Sequence, residues 1–391
     1  MPRQCQFWIG FITLACVVAI ASSAACATEI IPLSDTQVIE TLPAISGNRI
    51  EVRRLRRRLA AEPRDAALAL FAANQYLGQA HTSGDPRFAG MAMAAIESWS
   101  NDPAAPDAIL AMRASIQQYL HEFDAAALTL QRLLSRPERD PRPQAWLMLA
   151  TIRRVQGRYS DSDAACAHVS HSGAPVYASA CLAENAGLRG DDRRARATFQ
   201  QLIAQSRQNA ALQAWLTTSL AELEQRAGHP REAGAAFARA LQLDPDPYTS
   251  LDYADLLIEQ QRPKLALQLL RGHPRTDAVL LRLAIAGKQA NASTAAADAA
   301  EMRERIGLAN QRPETRIFHG REQAMFALAV DRDATRALQL AQRDVTQQRE
   351  PLDLLVLAQA ARASGNASAI EQTRRITNEM GLIDRRTDAL L

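Results

Sequence analysis

Apolar side chains in this chain recur in stripes broken by short turns. In residues 215–245, WLTTSLAELEQRAGHPREAGAAFARALQLDP, they return every three or four positions, stop at Gly228-His229-Pro230, resume, and end at Pro245. That spacing predicts two amphipathic helices joined by a tight turn. No stretch shows sustained apolar/polar alternation rich in Val, Ile and Thr, so no strand is predicted.

The same pattern returns along the chain. In a 34-residue frame with Phe237 at position 24, Leu220 falls at 7, Ala221 at 8, Gly228 at 15, Ala233 at 20, Ala240 at 27 and Pro245 at 32. Upstream, Ala150, Gly157, Ser162 and Cys166 occupy positions 8, 15, 20 and 24, and so do Ala183, Gly190, Ala195 and Phe199. Ala114, Ala126 and Leu130 mark a further unit before these, and Ala254, Ala266 and Leu270 one after. Small residues at 8 and 20 let two helices approach closely, large ones at 7 and 24 fill the gap, and Pro at 32 ends the second helix. This pattern resembles the tetratricopeptide repeat. The resemblance implies an all-α fold, a right-handed superhelical solenoid of antiparallel helical hairpins.

The resemblance is clear over residues 107–272. Residues 49–106 and 273–391 keep helical periodicity with degenerate signature positions, and are expected to be atypical terminal hairpins. Residues 64–100 read as a hairpin with an enlarged turn, HTSGDP. Residues 28–48, with two prolines and no helical stripe, read as an extended arm.

Residues 1–27 carry one early Arg3, an uncharged apolar run from Phe7 to about Ile20, and a small-x-small pattern at Ala25-Cys26-Ala27. They read as a secretory signal peptide, with an uncleaved signal anchor or a lipid on Cys26 as the rivals. The expected localisation is therefore exported, periplasmic or secreted. Cys166 and Cys181 remain after cleavage, and an oxidising compartment makes a disulfide the default for such a pair. In the repeat frame Cys166 sits at position 24 of one unit and Cys181 at position 6 of the next, where neighbouring hairpins pack. Free thiols, or a zinc set with His168 and His171, are the alternatives.

Ala, Leu, Arg and Gln dominate the composition, and all rank high in helix propensity. Positive charge is almost entirely Arg, with Lys264 and Lys288 the only lysines. Losing residues 1–27 removes Arg3 and no acid, so the formal charge falls from +3 to +2. This near balance argues against a nucleic-acid partner. Arg53, Arg54, Arg56, Arg57 and Arg58 surround an apolar stripe of Val52, Leu55 and Leu59 and read as a solvated helix face.

Nucleophile-elbow, zinc-protease, phosphate-loop and dinucleotide motifs are all absent from the sequence, so no catalytic, cofactor or metal residues are assigned. Asp161, Asp163, Asp191 and Asp192 stand at starts of second helices and read as caps. In the tetratricopeptide family first-helix positions 2, 5, 9, 12 and 13 line the concave groove. Carried over, these include Gln118 and Tyr119, Thr151 and Arg154, Tyr177 and Glu184, Glu222, Gln225 and Arg226, and Tyr248, Asp255 and Glu259. The lining suits an extended peptide or a partner helix. The function expected is a non-enzymatic scaffold or adaptor in the cell envelope, with a protein or peptide partner. A membrane-tethered assembly factor and an envelope hydrolase with an unrecognised site are the alternatives, and contact with membrane is expected only through an uncleaved anchor or a lipid on Cys26.

Overall fold

In the computed structural model, residues 49–137, 141–311 and 320–391 are described, with Ser34 and Thr36. The signal and nearly all of the arm lie outside these residues.

After α1 (Arg49–Ala61), nine helical hairpins follow one another: α2/α3 (Ala66–Ser83, Pro86–Ala95), α4/α5 (Asp107–Tyr119, Phe123–Leu134), α6/α7 (Pro143–Val155, Tyr159–His171), α8/α9 (Pro175–Leu188, Asp192–Gln205), α10/α11 (Ala210–Arg226, Pro230–Leu243), α12/α13 (Pro247–Glu259, Pro263–Leu269), α14/α15 (Asp277–Ala290, Ala295–Asn310), α16/α17 (Gly320–Phe326, Ala334–Asp344) and α18/α19 (Pro351–Ala363, Ala367–Met380). A short α20 (Arg385–Asp388) closes the chain, and α16 runs on through a π-helical turn, Ala327–Asp331. The described residues are helix and turn throughout, and none of their helices is long and apolar enough to cross a membrane.

Every hairpin turns on one residue in the left-handed region. Glycine does this at 84, 157, 190, 228 and 365, and a non-glycine does it at His121, Gln261, Asn291 and Arg332. In most of them the next amide reaches back five residues, as when His229 N–H donates to Glu224 O at 2.8 Å and Arg158 N–H to Arg153 O at 2.8 Å. That is the helix-ending bond pair that a left-handed residue makes possible. Pro86, Pro143, Pro175, Pro230, Pro247, Pro263 and Pro351 open helices, where the missing N–H costs nothing.

The frame positions form the core. Ala114, Ala150, Ala183, Ala221 and Ala254 at position 8 are buried, as are their position-20 partners Ala126, Ser162, Ala195, Ala233 and Ala266. Phe199 and Phe237 at position 24 are among the largest fully buried side chains. Cys166 and Cys181 form a disulfide between α7 and α8, which removes the free-thiol and zinc readings. His168 instead stacks on Trp146, with ring centroids 3.9 Å apart. Arg53, Arg54, Arg56, Arg57 and Arg58 are exposed while Leu55 and Leu59 pack on the core. Asp191 caps α9, whereas Asp161 and Asp163 pair with Arg158 and Arg189.

Residues 48–391 are one compact unit, within which the solenoid closes on itself. Three successive turn glycines receive the end of the chain. A Cβ at Gly157 would lie 2.8 Å from the Met380 side chain, one at Gly190 3.1 Å from Ile383, and one at Gly228 3.1 Å from Arg385. Two backbone bonds cross the same seam, Arg349 N–H to Val155 O at 2.7 Å and Ile383 N–H to Leu188 O at 2.9 Å. Tyr159 and Leu188 are buried in one apolar cluster with Leu354, Leu357, Met380 and Leu382. At the other end Gly84 lies against Thr276. Hairpins six apart in the chain thus touch, which happens when a superhelix is wound tightly enough for one turn to rest on the next.

Candidate functional site

Closure converts the concave groove into a walled chamber. The first helix of each hairpin faces inward, so α4, α6, α8, α10, α12, α14, α16 and α18 supply most of the wall, and Arg386 from the tail completes it. The chamber has two adjoining lobes of about 510 and 630 Å³ that share Thr151, Arg154, Glu184, Glu222 and Tyr248.

The structure brings Gln118, Thr151, Arg154, Glu184, Glu222, Gln225, Arg226, Tyr248, Asp255 and Glu259 to the first lobe and Tyr177 to the second. It turns Tyr119 elsewhere. That hydroxyl donates to Ala80 O at 3.1 Å and the ring lies edge-on to His81, so Tyr119 ties the second hairpin to the first. Asp252, Arg282, Arg321 and Arg386 also line the chamber and were not on the groove positions of the repeat. Asp252 and Arg282 both occupy position 6 of their units. Trp215, at position 2 of its unit, lines the second lobe and was not among the groove residues named from the sequence.

Most of the chamber's charge is paired between neighbouring hairpins. Arg154 meets Glu184 at 3.0 Å. Buried Arg282 holds Asp255 through two bonds, Nε to Oδ1 at 3.0 Å and Nη2 to Oδ2 at 2.6 Å. Arg321 Nη1 donates to Glu350 at 2.9 Å and to Asp353 at 3.1 Å. Glu259 accepts from Gln225 at 2.8 Å and from Arg386 at 3.2 Å. Its carboxyl titrates above the usual range because burial outweighs the Arg386 charge.

Glu222 and Asp252 differ. Their carboxyls hydrogen-bond one another, and Tyr248 Oη donates to Glu222 Oε1 at 3.1 Å. Burial first, and then the charge of a neighbouring carboxylate, raises both groups, Asp252 well above the carboxylate range. Two adjacent carboxyls that cannot both ionise share a proton. The same charges push the Tyr248 hydroxyl well above its ordinary range. Tyr248 lines both lobes and is 59% exposed.

No group of three His, Cys, Asp or Glu side chains among the described residues is arranged to hold a metal ion. Comparison with family models and with curated proteins finds no match. Among solved structures, the chain is similar to a Rap protein complexed with competence and sporulation factor (13% identity, 85% of this chain and 93% of that one, TM-score 0.45). It is also similar to a tetratricopeptide repeat protein from Parabacteroides merdae (13%, 69% and 97%, 0.37) and to human IFIT1 with PPP-AAAA (13%, 75% and 69%, 0.44). By its own hairpins, with small residues at each crossing and a left-handed turn in each, the chain is a tetratricopeptide-type all-α solenoid.

Proposed function

We propose that this chain is a non-enzymatic adaptor that holds an extended segment of a partner polypeptide inside the chamber. The observation that carries this reading is the chamber itself, walled by the first helices of eight hairpins and lined with hydrogen-bonding side chains. The hydrogen-bonding lining favours an extended segment over a partner helix, whose backbone groups are already bonded to one another. An extended strand instead offers carbonyls and amides along its whole length to a polar wall. Carboxylates outnumber arginines seven to five in the first lobe, which disfavours a polyphosphate backbone, since that calls for an excess of positive charge.

The disulfide and the signal-like residues 1–27 support the reading that the chain works in the cell envelope after export. Tethering by an uncleaved anchor is the variant of that reading, and an N-terminus at Thr28 in the mature protein would separate the two.

A photo-crosslinking amino acid at position 151, on the chamber wall, is expected to capture a polypeptide in the envelope fraction. The same group at exposed Arg239 on the outer helix α11 is expected not to. Adducts formed from position 239 and never from 151 would place the partner on the outer face and sink the proposal.

A further inference from the structure

The chamber's unmatched chemistry is concentrated at one point. Asp252 takes part in no salt bridge among the described residues, and the Arg282 guanidinium nearby is already held by both oxygens of Asp255. Glu222 has only Arg226 as a cation, at 3.9 Å, beyond hydrogen-bond distance. Three aromatic residues stand around this acid pair with unusual exposure: Tyr248, Tyr177 and Trp215, the last two with ring centroids 5.7 Å apart. Large aromatics normally bury their faces in a core. Here they face the lobe that also holds Glu184, Glu222, Asp244 and Asp246.

We propose that the chamber selects polypeptide segments bearing an arginine or lysine, whose cationic head sits between the Glu222 and Asp252 carboxyls with its stem against the Tyr248 ring. Tyr177 and Trp215 then flank the neighbouring residue of the segment. Bringing a cation to the pair replaces a carboxyl–carboxyl contact with two opposite-charge contacts inside a partly enclosed space, where such contacts are stronger than in bulk water. An aromatic face beside the cation adds to its hold. This proposal rests on the polypeptide reading and narrows it to basic segments.

The test uses the full mature chain and fluorescein-labelled nonapeptide pools with Arg, Lys, Gln or Glu fixed at the centre and neutral randomised flanks, with fluorescence anisotropy as the readout. The Arg and Lys pools are expected to bind at least tenfold more tightly than the Gln pool. In the E222Q/D252N variant that preference is expected to vanish while Gln-pool binding stays unchanged. D252N alone is expected to lose most of the preference, which keeps the test intact should the double variant fold poorly. Equal binding of the Arg and Gln pools would overturn the basic-segment proposal and leave the polypeptide reading standing. A preference that survives in both variants would do the same by moving the cation elsewhere. Binding of no pool, or of an eight-residue oligoadenylate alone, would overturn the polypeptide reading and this proposal with it.

Discussion

Arg386→Met should open the seam that closes the solenoid. Arg386 grips Asp384 with Nε on Oδ1 at 3.0 Å and Nη2 on Oδ2 at 2.7 Å, and reaches Glu259 at 3.2 Å. Asp384 is fully buried, so removing the guanidinium strands a carboxylate without its counter-charge. Such a loss costs about 3–5 kcal/mol, and the 20% exposure of the Arg386 side chain puts the expectation near the lower end, about 3 kcal/mol. Adding Asp384→Asn removes the stranded charge while the amide oxygen still accepts the Arg386 backbone N–H that Asp384 caps at 3.0 Å. The double variant should therefore recover most of the loss. Because repeat arrays open locally, the readout is hydrogen exchange at the Ile383 amide, which donates across the seam to Leu188 O. A loss of about 3 kcal/mol corresponds to exchange on the order of a hundredfold faster. Unchanged exchange in Arg386→Met, or a double variant no better than the single one, would refute the reasoning.

Three further outcomes follow from the same contacts. A Cys166→Ser, Cys181→Ser variant should lose about 3 kcal/mol, as expected for a bond closing a loop of 15 residues, and keep its helical circular-dichroism spectrum. Thiol titration of protein purified without reductant should find neither cysteine reactive. Gly190→Ala should cost more than Gly173→Ala, since both glycines have φ near 85° but only Gly190 lies against Ile383. Urea denaturation should give about 1–2 kcal/mol for the shared backbone strain, plus a further loss at 190 alone; equal losses would deny the seam contact. Burial raises the Asp344 carboxyl from 3.8 to about 6, so the folded protein holds that proton more tightly than the unfolded chain. Wild-type stability contributed there is intact below about pH 4 and is lost as pH rises to about 6. Asp344→Asn does not titrate and should gain on the wild type over that window by on the order of 3 kcal/mol, read by urea denaturation at pH 4 and pH 7. A gap between the two proteins that does not widen with pH would rule this out.

The hairpins were legible in the sequence because their crossings need small residues, and Ala221 with Ala233 or Ala150 with Ser162 announce themselves at fixed spacing. The flanking units were harder to read for a specific reason. Three of the four non-glycine turns, Gln261, Asn291 and Arg332, lie at or beyond the end of the clear repeats, so the glycine that marks position 15 is missing there although the backbone makes the same turn. Asn and other polar residues tolerate that conformation at a cost, which tertiary packing covers. The seam was invisible to any local reading, since Ile383 meets Leu188 and Arg386 meets Glu259 across more than a hundred residues. Position lists taken from an open groove omit Asp252 and Arg282, which line the chamber, and include Tyr119, which bonds the first hairpin instead.

Pairing and closure together explain why one acid pair stands apart. Inward-facing first helices place charges of adjacent repeats opposite one another, and the chain answers nearly every one: Arg154 with Glu184, Arg282 with Asp255, Arg321 with Glu350 and Asp353, and Arg386 with Glu259. Buried pairs of this kind add little net stability over apolar packing of the same volume, because both partners lose water. What they do fix is register: each carboxylate is satisfied only if the next helix sits at one height and one rotation. Successive repeats held that way accumulate the curvature that brings Met380, Ile383 and Arg385 onto the turns at Gly157, Gly190 and Gly228. A wall whose arginines are all paired selects a ligand by charge where a carboxyl is left without one. Glu222 and Asp252 are that place, set between rings that a core would have buried, and a partner that supplies the absent cation meets the rest of the wall already ordered for it.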